Sequence, residues 1–516
     1  MIRAMRNIGR VRAILRTLAR YDALFLAERA GIPPRLVRLA TRLSGGGRSL
    51  ADMAERRPGE RLAAALQALG PSFIKLGQAL SVRSDLVGED IAADLSTLQD
   101  SLPPFPGEQA RAAIEAEFGR PAEALFESFD DEAVAAASIA QVHFAVTTEG
   151  GPVAVKVLRP GIEAAFARDL DLMDWLAGLA ERHLPACRRL HPVESVRTFA
   201  EAVAVEMDLR LEAAAGDELA ENFRDDPVFR VPRMDWLRTG RRVLTLQRIG
   251  TTPIDEADAL TRAGFQPDEI VAQMARIFFL QVFRDGFFHG DLHPGNLSVA
   301  DDGTIWAVDF GIMGRIDRAT RYYLAEMLAG FLNGDYLGVA DVHIRAGYVP
   351  AHRSREDFAQ AARAIAEPIF GLPMRDISLA RLLAQLFAVT DRFEMEAQPQ
   401  LLLLQKTMLV AEGVGRTLSP DTNMWELARP LIEGWVAENM TAEARAAEAI
   451  GDGVRVIERL PALVAEMGES VGRLAREGVR LHPDSVRALA GGGRRRRRWP
   501  LWAGAAVVAT LALAAL

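Results

Sequence analysis

Hydrophobic positions along the chain recur at two periods, and the change from one to the other divides it. Met1 to Arg20 never runs apolar for long, carries six arginines and has no acid before Asp22, which predicts a basic amphipathic helix suited to a membrane surface or a solvated face. It also resembles a mitochondrial presequence in charge, although an arginine bias throughout the chain argues equally for a bacterium. Residues 50–120 follow helical spacing, interrupted by the proline-rich turn from Leu102 to Pro106. Gln141 to Val146 and Pro152 to Leu158 are short β-rich runs separated by Thr147-Thr148-Glu149-Gly150-Gly151, which predicts strand, turn, strand. Residues 163–222 return to helical spacing, and Arg242 to Leu246 is a further strand candidate. Helices follow, then a short strand pair around Leu297 to Val308 and a helical tail to about residue 490. Strands early and helices late predict an α+β arrangement, a small mixed lobe beside a larger helical one. No repeat of fixed period is found.

The C-terminal end departs from this pattern. Gly491 to Gly493 reads as a joint, Arg494 to Arg498 as a basic block, and Trp499 to Leu516 as eighteen residues without a charge. A helix of that length would be about 27 Å long, close to the hydrocarbon thickness of a bilayer, so a transmembrane helix is expected. The arginines would then hold residues 1–498 on the cytoplasmic side.

Composition narrows the function classes. With 516 residues, 49% hydrophobic and 25% charged, the chain has the proportions of a folded protein of several packing units. A net charge of −8 argues against a nucleic-acid binder. One cysteine, Cys187, excludes an internal disulfide and a multi-cysteine zinc site. Of the 61 basic residues only Lys75, Lys156 and Lys406 are lysines. In an arginine background a retained lysine marks a place where a compact ammonium serves and a planar guanidinium does not.

The chemistry concentrates at His289-Gly290-Asp291-Leu292-His293-Pro294-Gly295-Asn296, followed thirteen residues after Asn296 by Asp309-Phe310-Gly311. Phosphoryl transfer needs one carboxylate to orient the attacking hydroxyl, and an Asn with a second Asp to hold magnesium against the phosphates. Asp291 and Asn296 are five apart, as in the kinase catalytic loop, and Ile305 to Val308 is expected as the strand that delivers Asp309. His289 and His293 have no third His or Cys ligand nearby and are expected to shape the loop. Upstream, Val153-Ala154-Val155-Lys156 matches the strand whose lysine touches the α- and β-phosphates. A helix from about Ser195 to Phe223 offers Glu206, Asp208 and Glu212, with Asp208 and Glu212 at i,i+4 on one face. Glu212 is assigned to the Lys156 ion pair, and Glu206 and Asp208 are expected to look inward toward the nucleotide.

Two absences matter. Where a kinase carries its glycine-rich loop, this chain has Ala135, Ala136, Ala137 and Ser138, and alanine's Cβ resists the positive φ that a glycine loop uses to approach phosphates. No Ala-Pro-Glu segment follows Asp309, and Ile316 to Leu332 enters a helix with no room for a peptide-docking loop. Far upstream, Lys75 and Gln78 share a helix face in Phe73-Ile74-Lys75-Leu76-Gly77-Gln78, and Gly77 allows a close backbone contact.

With these residues in hand the chain resembles the UbiB family, the atypical aarF-domain kinases of the protein-kinase-like superfamily, from about Pro71 to Trp425. The resemblance rests on Lys75-Leu76-Gly77-Gln78 as the Lys-x-Gly-Gln signature, the alanine loop, Lys156, the Glu-x-Asp pair Glu206 and Asp208, and the loop holding Asp291 and Asn296. Asp309 and Glu412 to Arg416 complete it. It implies a bilobal kinase-like fold, with Lys75 near the Glu-x-Asp pair and its helix over the mouth of the nucleotide site. Ala215 replaces a frequent Asn, and Gln247 stands where the nucleotide-hinge strand often has Glu. Relatives commonly end in two membrane helices, and this chain has one candidate.

The expected division is an N-terminal helical extension over 1–120, a kinase-like small lobe over 121–250, a helical large lobe over 251–490, a Gly/Arg linker over 491–498 and a membrane helix over 499–516. Asp291, Lys156 and Lys75 are the expected catalytic residues. Ala135, Ala136, Ala137, Ser138, Lys156, Glu206, Asp208, Glu212 and Gln247 would bind ATP, and Asn296 and Asp309 would hold Mg2+. The activity implied is Mg-dependent ATP hydrolysis or unorthodox kinase chemistry supporting ubiquinone biosynthesis at a membrane. The rivals are a small-molecule or lipid kinase and a nucleotide-gated scaffold; a hydroxylase has no flavin fingerprint or metal triad here. Expected partners are membrane lipids, polyprenyl-phenol quinone precursors, quinone-biosynthesis enzymes and a second copy of the chain as a homodimer, with no nucleic acid. The expected location is the cytoplasmic face of a bacterial inner membrane, or the matrix face of the mitochondrial one.

Overall fold

The structure, a computed structural model, describes residues 2–25, 56–81, 87–95, 102–183, 191–369, 372–376, 385–386, 388–390, 392–395 and 398–440, with a few single positions between them. The tail from 441, with the expected linker and membrane helix, lies outside the described residues. Among the described residues no helix is long and apolar enough to cross a membrane.

The N-terminal extension contains α1 (Ile2–Arg20), α2 (Pro58–Leu69), α3 (Pro71–Ser81) and α4 (Glu89–Leu95). The apolar stripe of α1, including Ile14, Leu15 and Leu18, is buried against Leu62 and Leu66 of α2 and Phe73 and Ile74 of α3. This corrects the expectation of a membrane-lying helix: that face is spent on the core, and one of its arginines is spent on a fold contact. Arg10 makes a bidentate pair with Asp169, at 2.7 and 2.8 Å. Gly77 lets α3 approach its neighbours, since a Cβ there would lie 2.5 Å from Leu98 and 2.8 Å from Leu66.

Helix α5 (Gly107–Phe118) falls on the extension side of residue 120, yet Ala110, Ala113 and Ile114 pack on the small-lobe sheet in one apolar cluster. That sheet holds β1 (Phe126–Phe129), β2 (Ala135–Ala136), β3 (Ala140–Thr147), β4 (Pro152–Leu158) and, beyond a short parallel-paired strand β5 (Phe229–Arg230) of the large lobe, β6 (Val243–Gln247). The order is β1-β3-β4-β6, with β2 on β3 and every pairing antiparallel. The β3–β4 hairpin turns at Gly150, whose φ of 84° suits a residue without a Cβ.

Three helices follow β4: α6 (Ile162–His183), α7 (Pro192–Glu206) and α8 (Leu209–Asn222). The single helix expected from Ser195 to Phe223 is therefore two. Asp208 ends the first register by capping α8, its carboxylate accepting the Arg210 N–H at 3.2 Å, so Asp208 and Glu212 are cap and first turn, not neighbours on one helix face.

The large lobe contains β7 (Thr252–Pro253), α9 (Ala257–Arg262), α10 (Pro267–Phe279), a π-helical turn over Leu280–Asp285, and β8 (Phe287–His289). Then come β9 (Leu297–Val299), β10 (Ile305–Ala307) and β11 (Met313–Arg315). The expected pair β9–β10 is antiparallel, and β11 returns to pair with β8. Helices α11 (Arg318–Leu332), α12 (Tyr336–Arg345), α13 (Arg355–Ala366), α14 (Pro399–Leu418) and α15 (Met424–Asn439) follow among the described residues of the lobe.

Candidate active site

Period-two alternation in β4 buries Val153, Val155 and Val157 against α5 and leaves Lys156 on the other face, toward the large lobe. There Lys156 Nζ donates to Glu212 Oε1 at 2.7 Å and to Asp309 Oδ2 at 3.0 Å. Glu212 stands in the first turn of α8, and the same helix accepts Phe310 because residue 216 is glycine: a Cβ there would lie 2.9 Å from the Phe310 ring. Asp309 follows β10, as expected, and its Oδ1 accepts the Gly311 N–H at 3.0 Å.

Burial opposes charge on all three groups, and they respond differently. Lys156 is held protonated, its pKa raised above the usual lysine range by Asp309 and Glu212. Lys156 and the Gly311 N–H hold Asp309 well below the usual carboxylate range against burial. At Glu212 burial wins, and the carboxyl is pushed up to about 7.

The catalytic loop is braced from below. Gln281, fully buried in the π-helical turn, accepts the His289 N–H at 2.8 Å. Buried His289, its pKa lowered by desolvation, accepts the Asp291 N–H on Nδ1 at 3.1 Å. Asn296 Nδ2 donates to the Asp291 carbonyl at 3.0 Å and closes the loop, and His293 Nδ1 accepts the Gly295 N–H at 3.2 Å. Both histidines thus shape the loop. Among the described residues no group of three or more His, Cys, Asp or Glu gathers to hold a metal. The Asn296 amide and the ionised Asp309 carboxylate, which keeps part of its surface open to solvent although protein atoms crowd it, are hard oxygen donors that fit Mg2+ arriving with phosphate oxygens.

The other expected residues are placed as follows. Ala135 and Ala136 form β2, and Ala137 closes a turn by donating its N–H to the Ala140 carbonyl at 2.8 Å; Ser138 is buried. Lys75 of α3 pairs with Glu206 at the end of α7, 2.8 Å apart. Asp208 turns to Arg210, at 2.9 and 2.6 Å, so the two acids of the Glu-x-Asp pair have different partners. Gln247 ends β6 with an exposed side chain, so any hinge contact falls to its backbone. Glu412 and Arg416 pair within α14, at 3.1 Å.

Three contributors went unassigned from sequence. Arg159, one arginine among many, donates to the Ala137 carbonyl at 3.0 and 2.8 Å and to the Pro103 and Leu102 carbonyls at 3.0 and 3.3 Å. It ties the alanine loop to the strap formed by the 102–106 turn. Gln281 carried no signal. Lys406 carried one, its rarity, and lies 3.3 Å from Asp291 Oδ1.

A lysine held by a helix carboxylate, a braced Asp-to-Asn loop and a second Asp after a hairpin strand define a protein of the atypical kinase class. A family model described as the ABC1 atypical kinase-like domain matches residues 97–343, and one described as the UbiB helical domain matches residues 362–423. The chain is 46% identical over 387 residues to the probable protein kinase UbiB of Marinobacter nauticus, covering 74% of this chain and 71% of that one. Its identity to the Azotobacter vinelandii protein of the same name is 44% over 388 residues, covering 74% and 72%. A Mycobacterium tuberculosis protein solved in complex with erythromycin shares the fold at a TM-score of 0.52 and 27% identity, over 69% of this chain and 91% of that one. The chain belongs to the UbiB family, as an atypical kinase-like member consistent with ubiquinone biosynthesis.

Proposed function

We propose that this protein binds Mg-ATP between its lobes and hydrolyses it, as an ATPase or unorthodox kinase, to remodel or deliver a polyprenyl-phenol quinone precursor or the enzymes that act on it. The observation that carries the reading is Lys156 between Glu212 and Asp309, beside a loop that fixes Asp291 and Asn296. Magnesium, when bound, supplies the charge that neutralises the phosphates. Lys156 is placed to leave Asp309 for the α- and β-phosphates, while Glu212 keeps its ammonium in the cleft. Asp291 takes the proton of the attacking water or hydroxyl as the new P–O bond forms. The old bond to the bridging oxygen breaks, and its electron pair leaves on ADP.

Bacterial relatives and the uncharged run from Trp499 to Leu516 support a place at the cytoplasmic face of an inner membrane. Membrane lipids, quinone-biosynthesis enzymes and a second copy of the chain are the proposed partners. The test is phosphate release by the full chain with and without a phenolic quinone precursor and anionic liposomes. Precursor-stimulated free phosphate supports the reading. A labelled lipid in its place makes the protein a lipid kinase, and nucleotide binding without turnover makes it a scaffold.

A further inference from the structure

All three lysines of the chain reach a carboxylate of the site: Lys75 meets Glu206, Lys156 meets Glu212 and Asp309, and Lys406 meets Asp291. Lys75 lies on α3 and Lys156 on β4. Lys406 comes from α14, more than a hundred residues after Asp291, in the helical domain.

The helix is fitted to the catalytic loop on that face. Leu403, three residues before Lys406 and so on the same side, packs on Gly290, where a Cβ would lie 3.1 Å from Leu403 Cδ1. Leu404 and Thr407 are buried, and the Thr407 hydroxyl donates to the Leu403 carbonyl at 2.9 Å. The backbone of Asp291 is held by His289 and Asn296, and Lys406 reaches its carboxylate. Both side chains of this pair are about a third exposed, 29% and 33%, so the pair adds little to folding. In a chain that uses arginine almost everywhere else, a compact ammonium beside the proton-accepting carboxylate points to chemistry.

We propose that Lys406 is a positioning residue for Asp291 that also sets positive charge beside the phosphoryl group in transfer. Lys156 then serves the nucleotide from the small lobe, and Lys406 serves the acceptor side from the large one. The inference rests on the phosphoryl-transfer reading of Asp291, and the experiment separates the two.

The full chain and its Lys406→Met, Lys406→Arg and Asp291→Asn variants are titrated calorimetrically with Mg-ADP, alone and with aluminium fluoride as a mimic of the group in transfer, and assayed for kcat and KM. Lys406→Met should bind Mg-ADP as the unsubstituted chain does, while the extra tightening from fluoride and kcat both fall, by about tenfold to a hundredfold. Lys406→Arg should recover part of each, since it restores charge with a bulkier head. Unchanged fluoride tightening in Lys406→Met, with Asp291→Asn impaired, overturns the role of Lys406 and leaves the phosphoryl-transfer reading standing. Equal loss of Mg-ADP affinity and of fluoride tightening also overturns it, since the lysine would then only pack the lobe. An unsubstituted chain that fails to bind Mg-ADP overturns the underlying reading, and this inference with it.

Discussion

Two polar clusters flank the alanine loop, and they are built on opposite plans. Lys156, Glu212 and Asp309 form an ionic cluster of one cation and two acids. The strap cluster is closed: Gln141 accepts the Phe105 N–H at 2.8 Å, donates to the Phe105 carbonyl at 3.0 Å and lies 2.8 Å from His143 Nε2, while His143 Nδ1 lies 2.7 Å from the Asp130 carbonyl. Arg159 adds donors to three more carbonyls of strap and loop. A buried network with every hydrogen bond made holds one geometry. A cluster whose second acid, Glu212, ionises near neutrality carries surplus negative charge when it does so, and keeps a reason to accept a cation. The strap is scaffold, the ionic cluster is site, and the difference is measurable.

The largest effect should come from the ionic cluster. Asp309→Asn keeps the shape and a bond to Lys156 is weakened, but the charge that grips magnesium is gone. Thermal stabilisation by Mg-ATP, worth about 2.7 kcal/mol at a hundredfold excess over Kd, should disappear. Stabilisation equal to that of the unsubstituted chain would move the metal site elsewhere.

Lys75 comes next. Its pair with Glu206 joins the extension to the end of α7, just ahead of the helix that carries Glu212. Lys75→Ala combined with Ala136→Gly frees that end and gives the loop a residue without Cβ. Autophosphorylation should rise while quinone yield falls. If both stay at the unsubstituted level, α3 is packing alone.

Legibility followed the same division. The β3–β4 hairpin, the strand before Asp309 and the Lys156–Glu212 pair were readable because each rests on a local period or a motif whose chemistry fixes spacing. The break at Asp208 was missed because helical spacing continues on both sides of it, and only a capping bond shows the change. The fate of α1 was missed because an apolar stripe looks the same whether a bilayer or a core covers it. Arg159 and Gln281 act on backbone carbonyls and N–H groups, which leave no trace in residue spacing. Lys406 was visible through its rarity, but its partner lies in a distant segment.

A smaller effect is expected from Arg159→Ala. Ala137, Pro103 and Leu102 lose a shared donor, at a cost of about 1–3 kcal/mol and a Tm lower by a few degrees. Mg-ATP should still stabilise the variant, though with a weaker Kd because the loop is no longer pinned. Complete loss of nucleotide binding would place Arg159 in the site and erase the distinction between the clusters.

The smallest effect is a pH dependence in the strap. Gln141 Nε2 donates, so His143 Nε2 accepts, and Nδ1 carries the proton given to the Asp130 carbonyl. A proton added at Nε2 would face the Gln141 amide with two donors and no acceptor. Burial lowers the His143 pKa, and the Asp130 carbonyl offsets this only in part. The unfolded chain, with its histidine near the ordinary value of about 6.5, binds the proton first. Stability from this group is therefore complete above that value and is lost as pH falls through it toward the lower folded pKa. Tm should fall on acidification below about pH 6.5, and His143→Gln, less stable at neutral pH, should show a shallower fall. Equal slopes in the two proteins would mean that the strap does not sense this proton, and that its closure rests on Gln141 and Arg159.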